Sequence, residues 1–180
     1  DGNDTLDGGQ GADLIYGGAG SDSLTGGAGP GSDWLVPGGG NDTVDGGAGN
    51  DMVSFSDLAE TPGRTNLDYR LTIDLEAGTA VSHDGAERMS LLNLERVTGT
   101  IFADFIRGDA GANQLRGLGD YDWFLATTGP DTIDGGNGQD MISFVEWGGR
   151  GAPVVLDIFS DAGAPPAGAA VAGVTLDLTD

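Results

Sequence analysis

Aspartate residues recur at regular intervals along this sequence, and their side chains are the groups best suited to chemistry. They stand at Asp4, Asp13, Asp22, Asp33, Asp42 and Asp51, then at Asp104, Asp122, Asp131 and Asp140, with Asn113 in phase between the first two of the second series. The interval is nine residues except for the eleven residues that separate Asp22 from Asp33. Carboxylate and carbonyl oxygens on flexible turns, without nitrogen or sulfur ligands, favour Ca²⁺. The spacing therefore predicts rows of calcium sites.

Each of these residues occupies the sixth position of a nine-residue unit, Gly-Gly-x-Gly-x-Asp-x-apolar-x. Clean copies span residues 8–16, 17–25, 46–54 and 135–143. The glycines permit positive φ and a tight turn with inward carbonyls. The apolar residue two positions after the aspartate begins a short strand, so one side chain per unit faces a core. Two units, eighteen residues in all, complete one coil of strand, turn, strand and turn.

The motif divides the chain into four parts. Residues 1–54 form a first array, residues 55–98 lack the metal motif, residues 99–143 form a second array with eroded glycines, and residues 144–180 carry a strand and an Ala/Gly/Pro-rich loop. Val97 lies nine residues before Ile106, so the phase of the second array begins before its glycines do. We therefore predict an all-β fold, a single right-handed parallel β-roll in which a plainer solenoid segment joins the two arrays. We also expect the chain to be a piece of a longer polypeptide.

Composition excludes several classes of function. The net charge is −22 and the sequence contains no lysine, so nucleic acid and anionic membranes would repel the chain. No stretch approaches the roughly 18 apolar residues of a membrane span. The chain has no cysteine, and His83 is its single histidine, which excludes disulfides and multi-histidine zinc sites. Nucleophile-elbow and P-loop motifs are also absent from the sequence, so we expect no catalytic activity in this stretch.

The nonapeptide resembles the repeat of the RTX (repeats-in-toxin) family, which includes secreted bacterial toxins, proteases, lipases and alginate epimerases. The resemblance covers most of residues 1–54 and 99–143. It implies a parallel β-roll in which each calcium is held by two turns eighteen residues apart. The first turn provides its second and fourth carbonyls and its aspartate, and the later turn provides its first and third carbonyls and its aspartate.

Carried onto this chain, the resemblance implies seven pairs of sixth-position residues. These are Asp4 with Asp22, Asp13 with Asp33, Asp22 with Asp42, Asp33 with Asp51, Asp104 with Asp122, Asn113 with Asp131, and Asp122 with Asp140. It also implies main-chain ligands at Gly9, Gly11, Gly17, Gly18, Ala19, Gly20, Gly29, Gly31, Pro37, Gly39, Gly46, Ala48, Gly117, Gly119, Gly135 and Asn137. About seven Ca²⁺ sites follow from this scheme.

The family resemblance makes calcium-dependent folding of a secreted bacterial protein the leading functional hypothesis. Export by a type I system would carry the chain unfolded from a calcium-poor cytosol to an extracellular or cell-surface location. Two alternatives remain: an accessory domain of a secreted enzyme that grips extracellular polysaccharide, and a repeat of an adhesin or surface-layer protein. Trp34, Trp123 and Trp147 are candidates for a sugar-binding platform, although such rings also pack against or cap a coil.

Overall fold

Short strands and turns make up the described parts of the protein. The computed structural model describes residues 1–58, 69–125 and 127–143, together with the backbone of strands 154–157 and 174–176. Within these residues the regular structure consists of β-strands apart from a 3₁₀ turn at Leu58, and there is no α-helix. The described residues accordingly contain no helix with the length and apolar character needed to cross a membrane.

The strands belong to two facing sheets. The first sheet contains β1 (Thr5–Gly9), β3 (Ser23–Gly27), β5 (Thr43–Asp45), β7 (Leu71–Asp74), β8 (Thr79–Ser82), β9 (Arg88–Leu92), β11 (Phe105–Arg107), β13 (Trp123–Leu125) and β15 (Met141–Ser143). The second sheet contains β2 (Leu14–Ala19), β4 (Trp34–Gly39), β6 (Met52–Ser54), β10 (Arg96–Thr98), β12 (Gln114–Gly119), β14 (Thr132–Asn137), β16 (Val154–Asp157) and β17 (Val174–Leu176). Within each array, successive strands alternate between the sheets, as a solenoid requires.

Strand register follows the nonapeptide period. Thr5 pairs with Ser23 in parallel, an offset of one eighteen-residue coil. Leu14 pairs with Trp34, an offset of twenty, because that coil contains the two extra residues before Asp33. These residues lie in the turn between β3 and β4, where a longer loop leaves the strand register unchanged.

The apolar eighth positions fill the space between the sheets, as the repeat predicts. They are buried at Ile15, Leu24, Leu35, Val44, Val53, Val97, Ile106, Leu115, Phe124 and Ile133, and partly buried at Leu6 and Ile142. Each coil therefore adds about two apolar side chains to the core. At roughly 1.5 to 3 kcal/mol for each buried side chain, such a core offsets only part of the conformational entropy of an eighteen-residue coil.

The two arrays form one continuous stack. In the second sheet β6 pairs directly with β10, with Val53 opposite Val97. In the first sheet β5 pairs with β9 and β7 pairs with β11, all in parallel. The two arrays therefore belong to one continuous β-solenoid, as predicted.

The connecting segment departs from the predicted parallel coil. Strands β7, β8 and β9 are antiparallel neighbours within the first sheet. Parallel strands need a long crossover, whereas antiparallel strands can be joined by short turns. Here Gly78 and Gly85, at φ of 67° and 70°, lie in the two short turns. The segment therefore extends the first sheet by local hairpins.

Candidate metal centres

The sixth-position residues form two stacks along opposite edges of the solenoid. We call Asp13, Asp33, Asp51, Asn113 and Asp131 the first stack, because each ends a turn that leaves the first sheet. The second stack comprises Asp4, Asp22, Asp42, Asp104, Asp122 and Asp140, at the turns that return to the first sheet. Parallel pairing places each member beside its counterpart in the next coil.

The structure brings together all seven predicted pairs. In each pair the backbone N–H of the earlier residue donates to a carboxylate oxygen, Oδ1, of the later one, at 2.8 to 3.1 Å. These bonds fix the carboxylates at the coil edges and leave the second oxygen, Oδ2, for another partner. The role of these residues as calcium ligands stays a prediction.

Several of the second oxygens are buried without a partner. Oδ2 of Asp13, Asp22, Asp42, Asp51 and Asp122 accepts no hydrogen bond from the described residues. Leaving one buried carboxylate oxygen unpaired is costly, and here the same situation occurs in both stacks. The stacks therefore repeat one arrangement that favours a positive charge beside each Oδ2.

A main-chain carbonyl lies beside these oxygens at the first position of the repeat. A methyl group on Gly8 would lie 2.6 Å from the carbonyl oxygen of Gly26 and 2.9 Å from Oδ2 of Asp13. Gly17 lies in the same way between the Pro37 carbonyl and Oδ2 of Asp22. Each such glycine leaves room for a carboxylate oxygen and a carbonyl oxygen of the next coil to approach one another.

These donors fit Ca²⁺, which accepts carboxylate, carbonyl and water oxygens in irregular geometry. Across the part of the chain that the structure describes, no three His, Cys, Asp or Glu side chains gather around one point. A metal at these turns would consequently take most of its protein ligands from the main chain.

Comparison with known families matches this geometry. The model of the RTX calcium-binding nonapeptide repeat matches four times, at residues 1–31, 28–56, 95–124 and 117–144, which together exceed half of the chain. The chain belongs to the RTX calcium-binding nonapeptide repeat family. It is therefore a calcium-binding structural module. No curated protein gave a match.

The predicted main-chain ligands of this RTX module lie in the turns of the two stacks. At Gly9, Gly11, Gly18 and Gly20 the backbone has positive φ. The other predicted positions lie in the same turns or at the strand ends that lead into them, at Gly17, Ala19, Gly29, Gly31, Pro37, Gly39, Gly46, Ala48, Gly117, Gly119, Gly135 and Asn137. These four glycines, at the second and fourth positions of the repeat, thus supply the left-handed conformations that the turn needs.

One eroded RTX turn keeps this backbone without its glycines. Leu118 and Asp120 stand where two glycines belong, yet they have φ of 87° and 71°. A left-handed conformation costs a non-glycine residue roughly 1 to 2 kcal/mol, so the neighbouring coils must hold the turn in place. Asp122, at the end of this turn, retains its unpartnered Oδ2. The turn before Asp122 therefore keeps the backbone conformation of the regular turns despite its sequence.

Two other RTX turns are closed by threonine. Thr100 donates from its backbone N–H to Oδ2 of Asp104 at 2.6 Å, and its hydroxyl contacts the same oxygen at 3.0 Å. Thr127 contacts Oδ2 of Asp131 with its hydroxyl at 2.8 Å. Both threonines occupy the second position of the repeat, where the clean copies have glycine. Their hydrogen bonds satisfy the oxygen that would otherwise face a metal.

Five carboxylates of the two stacks have raised pKa values, those of Asp42, Asp51, Asp104, Asp122 and Asp131. Burial is the largest cause at Asp122 and raises its pKa to about 8. The charges of Asp104, Asp140 and Asp120 raise it further, whereas the hydrogen bond from the Asp104 N–H lowers it. Burial likewise raises the pKa of Asp104 to about 7 and that of Asp42 to about 6. At these residues burial penalises the charged form.

Sequence reasoning missed three residues of these stacks. Glu95 lies between Asp51 and Asn113, and its carboxylate accepts a hydrogen bond from the backbone N–H of Asp51. Thr100 and Thr127 close their turns as described above. The signal for Glu95 was present, because it stands two residues before Val97, in the place of an aspartate.

Proposed function

We propose that this RTX module binds Ca²⁺ between successive turns of each stack and folds only when the ion is bound. The observation that carries the proposal is the buried, unpartnered Oδ2 beside a carbonyl of the next coil, seen at Asp13 and Asp22. Oδ1 of each aspartate accepts the backbone N–H of the preceding coil, and Oδ2 faces the ion. Bound calcium would supply the positive charge that the stack lacks.

The seven predicted sites are not equivalent in this proposal. At five sites no threonine hydrogen-bonds to the carboxylates among the described residues. These are the pairs Asp4–Asp22, Asp13–Asp33, Asp22–Asp42, Asp33–Asp51 and Asp122–Asp140. In the other two, hydrogen bonds replace the ion, through Thr100 at Asp104 and through Asp109 and Thr127 at the Asn113–Asp131 pair. We therefore propose about five regular sites, with the first array as the main calcium-binding part.

Equilibrium dialysis with radioactive calcium tests the proposal directly. The protein should bind about five ions with dissociation constants of about 10⁻⁴ to 10⁻³ M, the range of extracellular calcium modules. Magnesium should not compete, because it requires small octahedral sites and retains its waters. Absence of saturable calcium binding would refute the proposal.

The proposed cellular role follows from this coupling. A chain that is unfolded at low calcium can pass through a type I export channel and fold outside the bacterium, where calcium is abundant. The family resemblance and the net charge of −22 support this role. Calcium-triggered refolding on the cell surface, followed with an intact secretion system, would test it.

A second candidate function is polysaccharide binding as an accessory or adhesive module. Phe105 and Trp123 lie side by side on the outer face of the first sheet, with ring centres 5.8 Å apart, and Tyr121 is exposed near them. Trp34 lies in the second sheet, so it does not share a platform with Trp123, and Trp147 lies outside the described residues. If this candidate is correct, Trp123→Ala should abolish retention on an alginate column, whereas Trp34→Ala should leave it unchanged.

A further inference from the structure

A shortened turn joins the first stack at the junction between the two arrays, where β6 pairs with β10. We call this junction the seam. The turn consists of Asn93, Leu94 and Glu95, three residues between β9 and β10, whereas the preceding turn of the same stack, between β5 and β6, has six (residues 46–51). The N–H of Asp51 donates to Oε2 of Glu95 at 2.8 Å, the same length as the bond from Asp33 N–H to Oδ1 of Asp51. Glu95 thus continues the bonding pattern of the aspartates although it stands 44 positions from Asp51 in the sequence.

The main-chain carbonyl of Asn93 lies at the seam in the position that the first carbonyl of the next coil has in the regular turns. In the regular turns, the first-position glycine faces its own aspartate Oδ2 and the first carbonyl of the next coil, as Gly8 does. At the seam, a methyl group on Gly46 would lie 3.0 Å from Oδ2 of Asp51 and in collision with the carbonyl oxygen of Asn93. The Asn93 carbonyl therefore stands where the repeat places a main-chain ligand.

Asp51 provides an unsatisfied group at this position. Its side chain is 0% exposed, and its Oδ2 has no hydrogen-bond partner in the described part of the chain. The next carboxylate of the stack, that of Glu95, accepts the backbone N–H of the same residue, so two acids meet at the seam. A cation between a buried carboxylate and a neighbouring acid would offset the repulsion between them.

From these contacts we infer a further calcium site at the seam, formed by Oδ2 of Asp51, the carbonyl of Asn93 and the carboxylate of Glu95. The inference rests on the proposed function, since it assumes that the regular turns bind calcium. The turn that contains Glu95 is three residues shorter than the turn between β5 and β6. The extra methylene of glutamate compensates by extending the carboxylate towards the site. Fewer main-chain oxygens are available here, so water completes the coordination and the site is weaker than its regular neighbours.

This site would couple the two arrays. Its ligands come from the last turn of the first array and from the strand connection that leads into the second. Calcium at the seam therefore stabilises the contact between β6 and β10, on which the continuity of the second sheet depends.

The test compares Glu95→Gln with Glu76→Gln in the full chain. The first substitution keeps an acceptor for the Asp51 N–H while losing the charge, and Glu76 is a half-exposed acid of the same segment that pairs with Arg107 outside both stacks. By equilibrium dialysis with calcium alone, E95Q should lose one ion, or bind it about tenfold more weakly, relative to both wild type and E76Q.

The possible results separate the two hypotheses. Equal binding by wild type and E95Q, or an equal loss in E95Q and E76Q, would overturn the seam site while leaving the regular sites intact. Failure of the wild-type protein to bind calcium would instead refute the proposed function. If circular dichroism shows that E95Q does not fold in calcium, Glu95→Asp replaces it. Aspartate retains the charge, but its side chain is shorter, so it should bind the same ion more weakly.

Discussion

At the scale of the residue, the two oxygens of each stacked aspartate have different partners. Oδ1 accepts the backbone N–H of the preceding coil, and Oδ2 is left for a cation or a threonine. The same residue type therefore leaves an unpartnered oxygen at Asp22, where we propose a metal ligand, and forms a hydrogen-bonded turn at Asp104. The second position of the turn distinguishes these two residues, because it is Gly18 before Asp22 and Thr100 before Asp104.

Asp22→Ala should weaken calcium binding more than Asp4→Ala does. Asp22 is buried and belongs to two pairs, whereas Asp4 is exposed and belongs to one. We expect affinities about tenfold lower at two sites for Asp22→Ala and at one site for Asp4→Ala, measured by isothermal titration calorimetry. Asp7→Ala, which removes an equal charge from β1, is the control. Equal losses in the two aspartate variants would contradict the stacking scheme.

Thr100→Val should destabilise the protein without changing its calcium content. The substitution keeps the shape of the side chain and removes a hydroxyl that contacts the buried Asp104 carboxylate. The free energy of unfolding in calcium should fall by about 1 to 3 kcal/mol, measured by urea denaturation. Thr43→Val, at an exposed strand position, serves as the control. A gain or loss of bound calcium would show that this turn is a metal site after all.

At the scale of the element, the turns are defined by close approach between coils. The first-position glycines lie against a carboxylate oxygen and a carbonyl oxygen, whereas glycines at the second and fourth positions, such as Gly38 and Gly40, have positive φ as well as a close carbonyl neighbour. A side chain at the first position would enter the space between carboxylate and carbonyl. The turn therefore uses glycine for two separate physical reasons.

Gly8→Ala should remove one calcium site by filling that space. Its methyl group would lie 2.6 Å from the Gly26 carbonyl oxygen and 2.9 Å from Oδ2 of Asp13. We expect a loss of about 1 to 3 kcal/mol in unfolding free energy, together with one fewer bound ion in dialysis. Gly85→Ala, at φ of 70° in a hairpin turn, should cost about 1 to 2 kcal/mol through backbone strain alone and leave the ion count unchanged. The idea fails if both variants retain every ion.

At the scale of the whole molecule, a thin core supports a highly acidic chain. About two apolar side chains per coil cannot balance the ordering of eighteen residues, and the net charge of −22 opposes compaction. Each calcium adds two positive charges, and a free concentration of about 100 times Kd stabilises by roughly 2.7 kcal/mol per site. Folding and ion binding should therefore be one process.

The module should be largely disordered in chelator and rich in β structure in millimolar calcium. Circular dichroism should show a coil spectrum in EDTA and a β spectrum on adding calcium, with little response to magnesium. A β spectrum and melting temperature that are unchanged in excess EDTA would refute the folding switch.

Acidification should partly replace calcium. The folded-state pKa values of Asp42, Asp104 and Asp122, about 6, 7 and 8, exceed the ordinary value of 3.8. Groups with raised pKa values favour folding when protonated, so this stability is complete below about pH 4 and is lost as pH rises towards 8. In chelator, β structure measured by circular dichroism should increase between pH 8 and pH 4.5. A decrease over that range would contradict the assignment of buried acids as the obstacle to folding.

The sequence by itself determined the repeat, the all-β class, the core positions and the pairs that stack. These follow from local rules, because a nine-residue period fixes which residue faces the core and which returns to the same edge after eighteen residues. It even located the insertion before Asp33, which changes the length of a coil without shifting its strands.

Tertiary structure decided what lies between the arrays and which carboxylates are already satisfied. The antiparallel order of β7, β8 and β9 depends on which edges are open to pairing, and no local period encodes that. The alignment of Glu95 with Asp51 joins residues 44 positions apart, and the hydroxyls of Thr100 and Thr127 meet Asp104 and Asp131 only in the folded turn. Residue spacing predicts which coils meet, but the bonding of each oxygen is settled only when the coils are packed together.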